Sequence, residues 1–224
     1  MNQIAVMDVL PLADENCFKR CLETLSDERR EKVLSRGTAA DRRLSLGAGL
    51  LLRDGLRSLG LHEREMRYAK AENGKPYFEN RPDLHFNISH SGSKVAVAFA
   101  ECEVGCDIER VKPINFALAR RFFCAEENRF LHEVNEPEEK TERFFRLWTL
   151  KESYLKAAGY GLKLPLNEFC VVFDGESVSV FRDGQKTDDV LTEFSDISGY
   201  RLACCTERKT APFYLEQKDL LMIE

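Results

Sequence analysis

Several features are missing from this sequence, and each absence removes a class of function. No stretch approaches the roughly 18 consecutive apolar residues of a membrane span, so no membrane partner is expected. The opening residues, Met1 to Asn16, contain no basic segment followed by an apolar run and do not read as a secretory signal. Positive charge is not in excess. The net charge is −5, whereas a general nucleic-acid binder is usually basic, so no nucleic-acid partner is expected. Cysteines occur at Cys17, Cys21, Cys102, Cys106, Cys124, Cys170, Cys204 and Cys205, yet no two form a Cys-x-x-Cys pair. Cys17/Cys21 and Cys102/Cys106 stand four apart, but no histidine pair completes a zinc set. With no signal segment, all eight are expected to be small apolar fillers in a reducing cytoplasm. Low-complexity tracts and obvious repeats are missing too.

What remains is an ordinary globular composition: 224 residues, 43% hydrophobic and 32% charged, enough for one large domain or two small ones. Ser26 is an N-cap candidate, followed by acidic residues and then basic ones, which predicts a helix start. Asp41–Leu59 carries Leu44 and Leu51 with small Gly47 and Ala48 at helical spacing, predicting a helix packed closely on a sheet, ended by Gly60. Met66–Phe78 reads as a hairpin turning at Asn73-Gly74, and Lys94–Ala100 and Val104–Ile108 read as strands. Phe116–Phe123 reads as a helix. Pro137–Ala158 is the clearest one, with Pro137 in its first turn and Gly159 closing it. Strands are predicted at 169–173 and 178–181 around an Asp-Gly turn, and at Arg201–Thr206. The order helices–strands, then helices–strands, predicts an α+β protein of two similar α/β halves, residues 1–104 and 105–224, with a cleft between them.

Four constellations carry chemistry. In Gly105-Cys-Asp107-Ile-Glu109, strand alternation puts Asp107 and Glu109 on one face and Cys106 and Ile108 toward the core. Two adjacent carboxylates repel unless a proton or cation intervenes, and a hard divalent ion would serve; a solvated strand end fits the same residues. In Trp148-Thr-Leu-Lys151-Glu152-Ser-Tyr-Leu-Lys156, Phe144, Leu147, Trp148 and Leu155 form an apolar arc that contains Lys151 and has Glu152 at its edge. Charges there need partners, although Glu152 and Lys156 also fit a plain surface i,i+4 pair. Phe86-Asn-Ile-Ser89-His90-Ser91-Gly92 reads as a loop of small polar residues able to cradle phosphate, or as a capped turn. Arg29, Lys32, Arg36, Arg42 and Arg43, with Lys75 in Gly74-Lys75-Pro76, form a basic set suited to phosphates or to solvent.

Taken in order, the Gly-Lys-Pro, Phe-Asn-Ile-Ser-His-Ser-Gly, Gly-x-Asp and Trp-x-x-Lys-Glu motifs resemble the Sfp-type 4′-phosphopantetheinyl transferases, from about Leu25 to Phe173. That resemblance implies a monomeric pseudodimer with its active site between the halves. It implies transfer of phosphopantetheine from coenzyme A to a serine of an apo acyl or peptidyl carrier protein, in fatty-acid, polyketide or nonribosomal-peptide synthesis. It further implies Mg²⁺ held by Asp107, Glu109 and Glu152, with Glu152 and Lys156 catalytic. Coenzyme A would meet Arg29, Lys32, Arg43, Lys75, Ser89, His90 and Lys156. Where a relative has threonine after the matching arginine, this chain has Leu44 and lacks that hydroxyl. Two rival readings use the same residues: a metal-dependent phosphodiesterase or nuclease, and a non-catalytic carrier-binding module.

Overall fold

Local signals account for most of the helices. The computed structural model describes residues 2–175 and 177–220. Strand β1 (Gln3–Asp8) leads into α1 (Glu15–Glu23), capped by Asp14, then α2 (Asp27–Leu34), capped by Ser26, and α3 (Ala39–Ser58), capped by Thr38. The hairpin β2 (Tyr68–Lys70) and β3 (Pro76–Phe78) follows, then β4 (His85–Ser91), β5 (Lys94–Ala100) and β6 (Val104–Arg110). Helices α4 (Ala117–Phe122), α5 (Ala125–His132) and α6 (Pro137–Ala158) come next; α6 starts on its proline and stops at Gly159, whose φ of 69° is left-handed. Strands β7 (Phe169–Asp174), β8 (Ser177–Arg182), β9 (Gln185–Lys186), β10 (Val190–Phe194), β11 (Tyr200–Thr206) and β12 (Tyr214–Lys218) complete the chain.

Two sheets organise the core, in the orders β12-β1-β5-β4 and β10-β11-β6. Alternation along β5 divides its side chains. Val95, Val97 and Phe99 face α1–α3, while Ala96, Ala98 and Ala100 pack with Cys106, Ile108, Leu202 and Cys204 of the second sheet. Helix α3 sits close because its face is small: a Cβ at Gly47 would stand 2.5 Å from Val9 Cγ1. Helix α6 covers the other face of the second sheet, with Phe144, Leu147 and Leu150 beside Ala203.

Two expectations need correcting. Phe86–Ser91 is not a loop; it lies in β4, paired antiparallel with β5 from His85↔Ala100 to Ser91↔Lys94. The last strand joins the two halves: β12 returns to the first sheet and runs parallel to β1. The cysteines are not all free either: Cys124 and Cys170 form a disulfide, their Cα atoms 5.9 Å apart, because the start of α5 is held against β7. The other six form no disulfide.

Candidate active site

The two sheets meet at their edges, β4 against β6, and side chains take the place of a backbone ladder there. The Cys106 N–H donates to Asn87 Oδ1 at 3.0 Å, the Ile108 N–H to Ser89 Oγ at 3.2 Å, and the Arg110 N–H to Ser91 Oγ at 3.1 Å. Every second residue of β4 thus satisfies every second donor of β6, which would otherwise be an open edge. The same serines reach the acids. Ser89 Oγ donates to Asp107 Oδ1 at 3.0 Å and Ser91 Oγ to Glu109 Oε2 at 2.6 Å. Ser89 is therefore engaged inside the protein and is 6% exposed.

Gly105 brings α6 onto this edge. A Cβ at that position would overlap the Ser153 carbonyl oxygen and the Ala157 nitrogen, both backbone atoms. The close approach lets Lys156 reach inward. Its Nζ donates to Asp107 Oδ1 at 2.6 Å, to Ser89 Oγ at 3.1 Å and to the Cys106 carbonyl at 3.1 Å. Asp107 is 4% exposed, and among the described residues its Oδ2 is buried without a hydrogen-bond partner. Glu152, one turn before Lys156, makes no hydrogen bond among the described residues. Burial pushes all three carboxyls above their ordinary values. For Asp107 the Lys156 ammonium partly offsets this; for Glu109 the charge of Asp107 adds to it, and for Glu152 the charges of Asp107 and Glu109 do. Burial alone would lower Lys156, but the attraction of Asp107 holds its ammonium above the usual lysine value. Such an arrangement suits a hard cation: repelling oxygens, one of them buried and unpartnered. The three sets of oxygens do not all lie within 4.8 Å of one another; among the described residues the group that does is Cys124, Glu126 and Cys170.

Two cavities share Ile88; Glu152 lines one of them, and Asp107 and Glu109 are among the lining residues of neither. One, of about 540 Å³, is lined by Arg29, Lys32, Arg36, Leu44, Ser45 and His90, among others. The other, of about 300 Å³, is lined by Asn73, Lys75, Glu152, Leu155, Lys156 and Gly159, among others. The first is basic and strained by its own charge. Arg29 is 3% exposed, its guanidinium is 5.4 Å over the Tyr68 ring, and among the described residues its Nε has no partner. Burial, with Arg29, Arg36 and Lys70, lowers Lys32 to about 8. Burial also lowers His90, helped by Lys156. Arg43 is not among the residues lining either cavity; Lys75 lines the second, where its Nζ pairs with Glu103 Oε2 at 2.5 Å. Arg36 was visible in the basic run but was not among the expected contacts. The spacing of Arg29, Lys32 and Arg36, which places all three on one side of α2 and its exit, was the available signal.

Comparison with known proteins fits this geometry. Residues 103–205 match the family model described as the 4′-phosphopantetheinyl transferase superfamily, and residues 12–102 match that of the 4′-phosphopantetheinyl transferase N-terminal region. The 4′-phosphopantetheinyl transferase Sfp of Bacillus subtilis is 35% identical over 216 residues, covering 95% of this chain and 93% of that one. The chain belongs to the 4′-phosphopantetheinyl transferase superfamily. A second relative, the 4′-phosphopantetheinyl transferase gsp of Aneurinibacillus migulanus, is 31% identical over 195 residues, 86% of this chain and 81% of that one. Among solved structures, a holo-(acyl-carrier-protein) synthase from Bacillus anthracis in complex with CoA (3′,5′-ADP) matches with a TM-score of 0.38 and 19% identity, over 46% of this chain and 92% of that one.

The Trp-x-x-Lys-Glu signature of this transferase divides into two tasks. Lys151 turns away from the cavities and is wholly buried. Its Nζ donates to Glu127 Oε1 at 2.5 Å and to the Phe169 carbonyl at 2.7 Å. Glu127, equally buried, also accepts from the Val171 N–H at 2.7 Å and the Cys124 N–H at 2.9 Å. Trp148 packs on Phe144 and Phe122. Lys151 and Trp148 therefore fasten α6 to α5, α4 and β7, while Glu152 alone of the signature lines a cavity. No helix of the described residues is long and apolar enough to cross a membrane.

Proposed function

We propose that this chain transfers the 4′-phosphopantetheine group of coenzyme A to a serine of an apo acyl or peptidyl carrier protein, giving the holo-carrier and adenosine 3′,5′-bisphosphate. The observation that carries the reading is the buried, unpartnered Oδ2 of Asp107, one of three carboxyls raised by burial and by one another's charge, with Glu152 lining a cavity that shares Ile88 with a basic one. In this assignment Arg29, Lys32, Arg36 and His90 receive the phosphates of the nucleotide, and the pantetheine arm runs past Ile88 into the cavity of Glu152 and Lys156. Asp107, Glu109 and Glu152 would hold Mg²⁺, with Glu152, which has no partner among the described residues, able to turn toward it. When bound, the ion neutralises charge on the pyrophosphate.

The serine hydroxyl is a poor nucleophile at neutral pH and needs a base. Its Oγ forms a bond to the β-phosphorus while the bond from that phosphorus to the nucleotide's phosphate oxygen breaks, and its proton passes to Glu152. In the metal-free protein, burial and the charges of Asp107 and Glu109 raise the Glu152 carboxyl above its ordinary value. Lys156, kept as an ammonium beside Asp107, faces the negative charge that gathers on the leaving phosphate. The protein acts as a monomer, its two halves supplying the two sides of the site, and as a cytoplasmic enzyme. Incubation with coenzyme A, Mg²⁺ and an apo carrier, read by intact-protein mass, tests the reading. The carrier should gain one phosphopantetheine only when coenzyme A and Mg²⁺ are both present. Release of phosphate products with the carrier unchanged would favour a phosphodiesterase, and carrier binding without any change in mass would favour a non-catalytic module.

A further inference from the structure

The last turn of α6 carries Lys156, and the final carbonyls of a helix have no partner within it. Two carbonyls here are met from outside. Asn73 Nδ2 donates to the Gly159 carbonyl, and Lys75 Nζ donates to the Ala157 carbonyl at 3.3 Å, from positions 86 and 82 residues earlier in the chain. Both donors belong to the β2–β3 turn, which is braced before it docks. The Lys75 N–H donates to Asn73 Oδ1 at 2.9 Å, the Gly74 N–H donates to the Ala71 carbonyl at 2.8 Å, and Gly74 takes a φ of 83° that suits glycine. Lys75 is anchored in turn: Glu103 Oε2 is 2.5 Å from its Nζ, and Glu103 Oε1 is 3.1 Å from His85 Nδ1. A cation at a helix C-terminus is favourable in its own right. Gly159 completes the fit, since a Cβ there would stand 2.9 Å from Asn73 Nδ2.

We infer that the Asn73–Lys75 turn is a C-cap supplied to α6 by the other half of the molecule, and that Asn73 and Lys75 are positioning residues that fix the aim of Lys156 and Glu152 on Asp107. Glu103 and His85 hold Lys75 to that task. Lys75 also lines the cavity of Glu152 and Lys156, where any anion recruiting its ammonium has to compete with Glu103. The inference rests on the proposed transferase reaction for what Lys156 and Glu152 do, but not for the cap itself.

Four full-length variants test it: Asn73→Ala, Glu103→Gln, Lys75→Met and Lys75→Arg. Each is followed by carrier modification (kcat and KM), by calorimetric titration with coenzyme A and by amide hydrogen exchange. Asn73→Ala, Glu103→Gln and Lys75→Met should each lower kcat about threefold to thirtyfold, by a larger factor than they change the Kd for coenzyme A, and speed exchange of amides 155–159 while the rest of α6 keeps its protection. Lys75→Arg, which keeps a cation, should retain more activity than Lys75→Met. A changed Kd in Lys75→Met or Glu103→Gln with kcat unchanged would make Lys75 a phosphate ligand and overturn the inference. Parent-like exchange at 155–159 in all the variants would overturn it too. If the parent itself fails to modify a carrier, the transferase reading falls, and the exchange data still judge the cap.

Discussion

Replacing Lys151 with methionine tests whether the signature lysine is structural. Lys151 and Glu127 are both wholly buried and 2.5 Å apart. Methionine keeps the chain length but strands the Glu127 carboxylate and the Phe169 carbonyl that Lys151 served. Removing one partner of a buried pair typically costs about 3–5 kcal/mol, because the remaining charge is uncompensated. For a chain of this size, that is a fall in Tm of about 6–20 °C. Two internal controls sharpen the test. Burial already raises Glu127, and Lys151 is the largest influence pulling it back down. Without Lys151 the carboxyl titrates higher still. A carboxyl raised in the folded state costs stability above its unfolded value, so the Lys151→Met deficit should be larger at pH 8 than at pH 5. The double variant Lys151→Met/Glu127→Gln removes the stranded charge and should be more stable than Lys151→Met alone. The assay is urea and thermal unfolding of parent, single and double variants under one redox condition, since Cys124–Cys170 lies beside the pair. A Tm within about 2 °C of the parent, or a double variant less stable than Lys151→Met, would refute the reasoning.

Three further outcomes are expected. Glu152→Gln removes a mutually repelling charge, so it should keep or slightly raise the parent Tm while carrier modification falls about 10²–10⁴-fold; near-parent turnover in the folded variant would remove Glu152 as the base. Lys32 loses its proton near pH 8, so affinity for coenzyme A should fall by up to about tenfold between pH 7 and 9 in calorimetric titrations, and Lys32→Met should flatten that profile. The stability of the unliganded protein should move the opposite way, because the penalty on the buried ammonium is relieved between about 8 and the ordinary 10.5. Gly105→Ala sets a Cβ against the α6 backbone, which has no rotamer to yield, and should cost about 1–3 kcal/mol or more in unfolding experiments, with loss of turnover as α6 shifts; a parent-like melting curve would show that the helix yields freely.

Helix ends were legible in the chain because their causes are local. Ser26 caps α2, Pro137 opens α6 and Gly159 closes it, each acting within a turn of itself. The same is true of the alternation in β6 that puts Asp107 opposite Cys106, and of the Asn73-Gly74 turn. The motif pattern likewise pointed to the family. What the chain could not disclose was decided by partners far away in it. Asn87, Ser89 and Ser91 look like loop residues until β6 supplies the N–H groups they satisfy. Lys75 in its Gly-Lys-Pro turn gives no sign of Glu103 or of the end of α6, both of which its ammonium meets. Cys124 and Cys170 look like fillers until α5 meets β7, and β12 has no visible place until it pairs with β1 across nearly the whole chain. A side chain's residue type tells what it can bond, and local sequence tells which face it stands on. Which of several competing groups it meets is a matter of distance, and only the packed sheets and α6 set those distances.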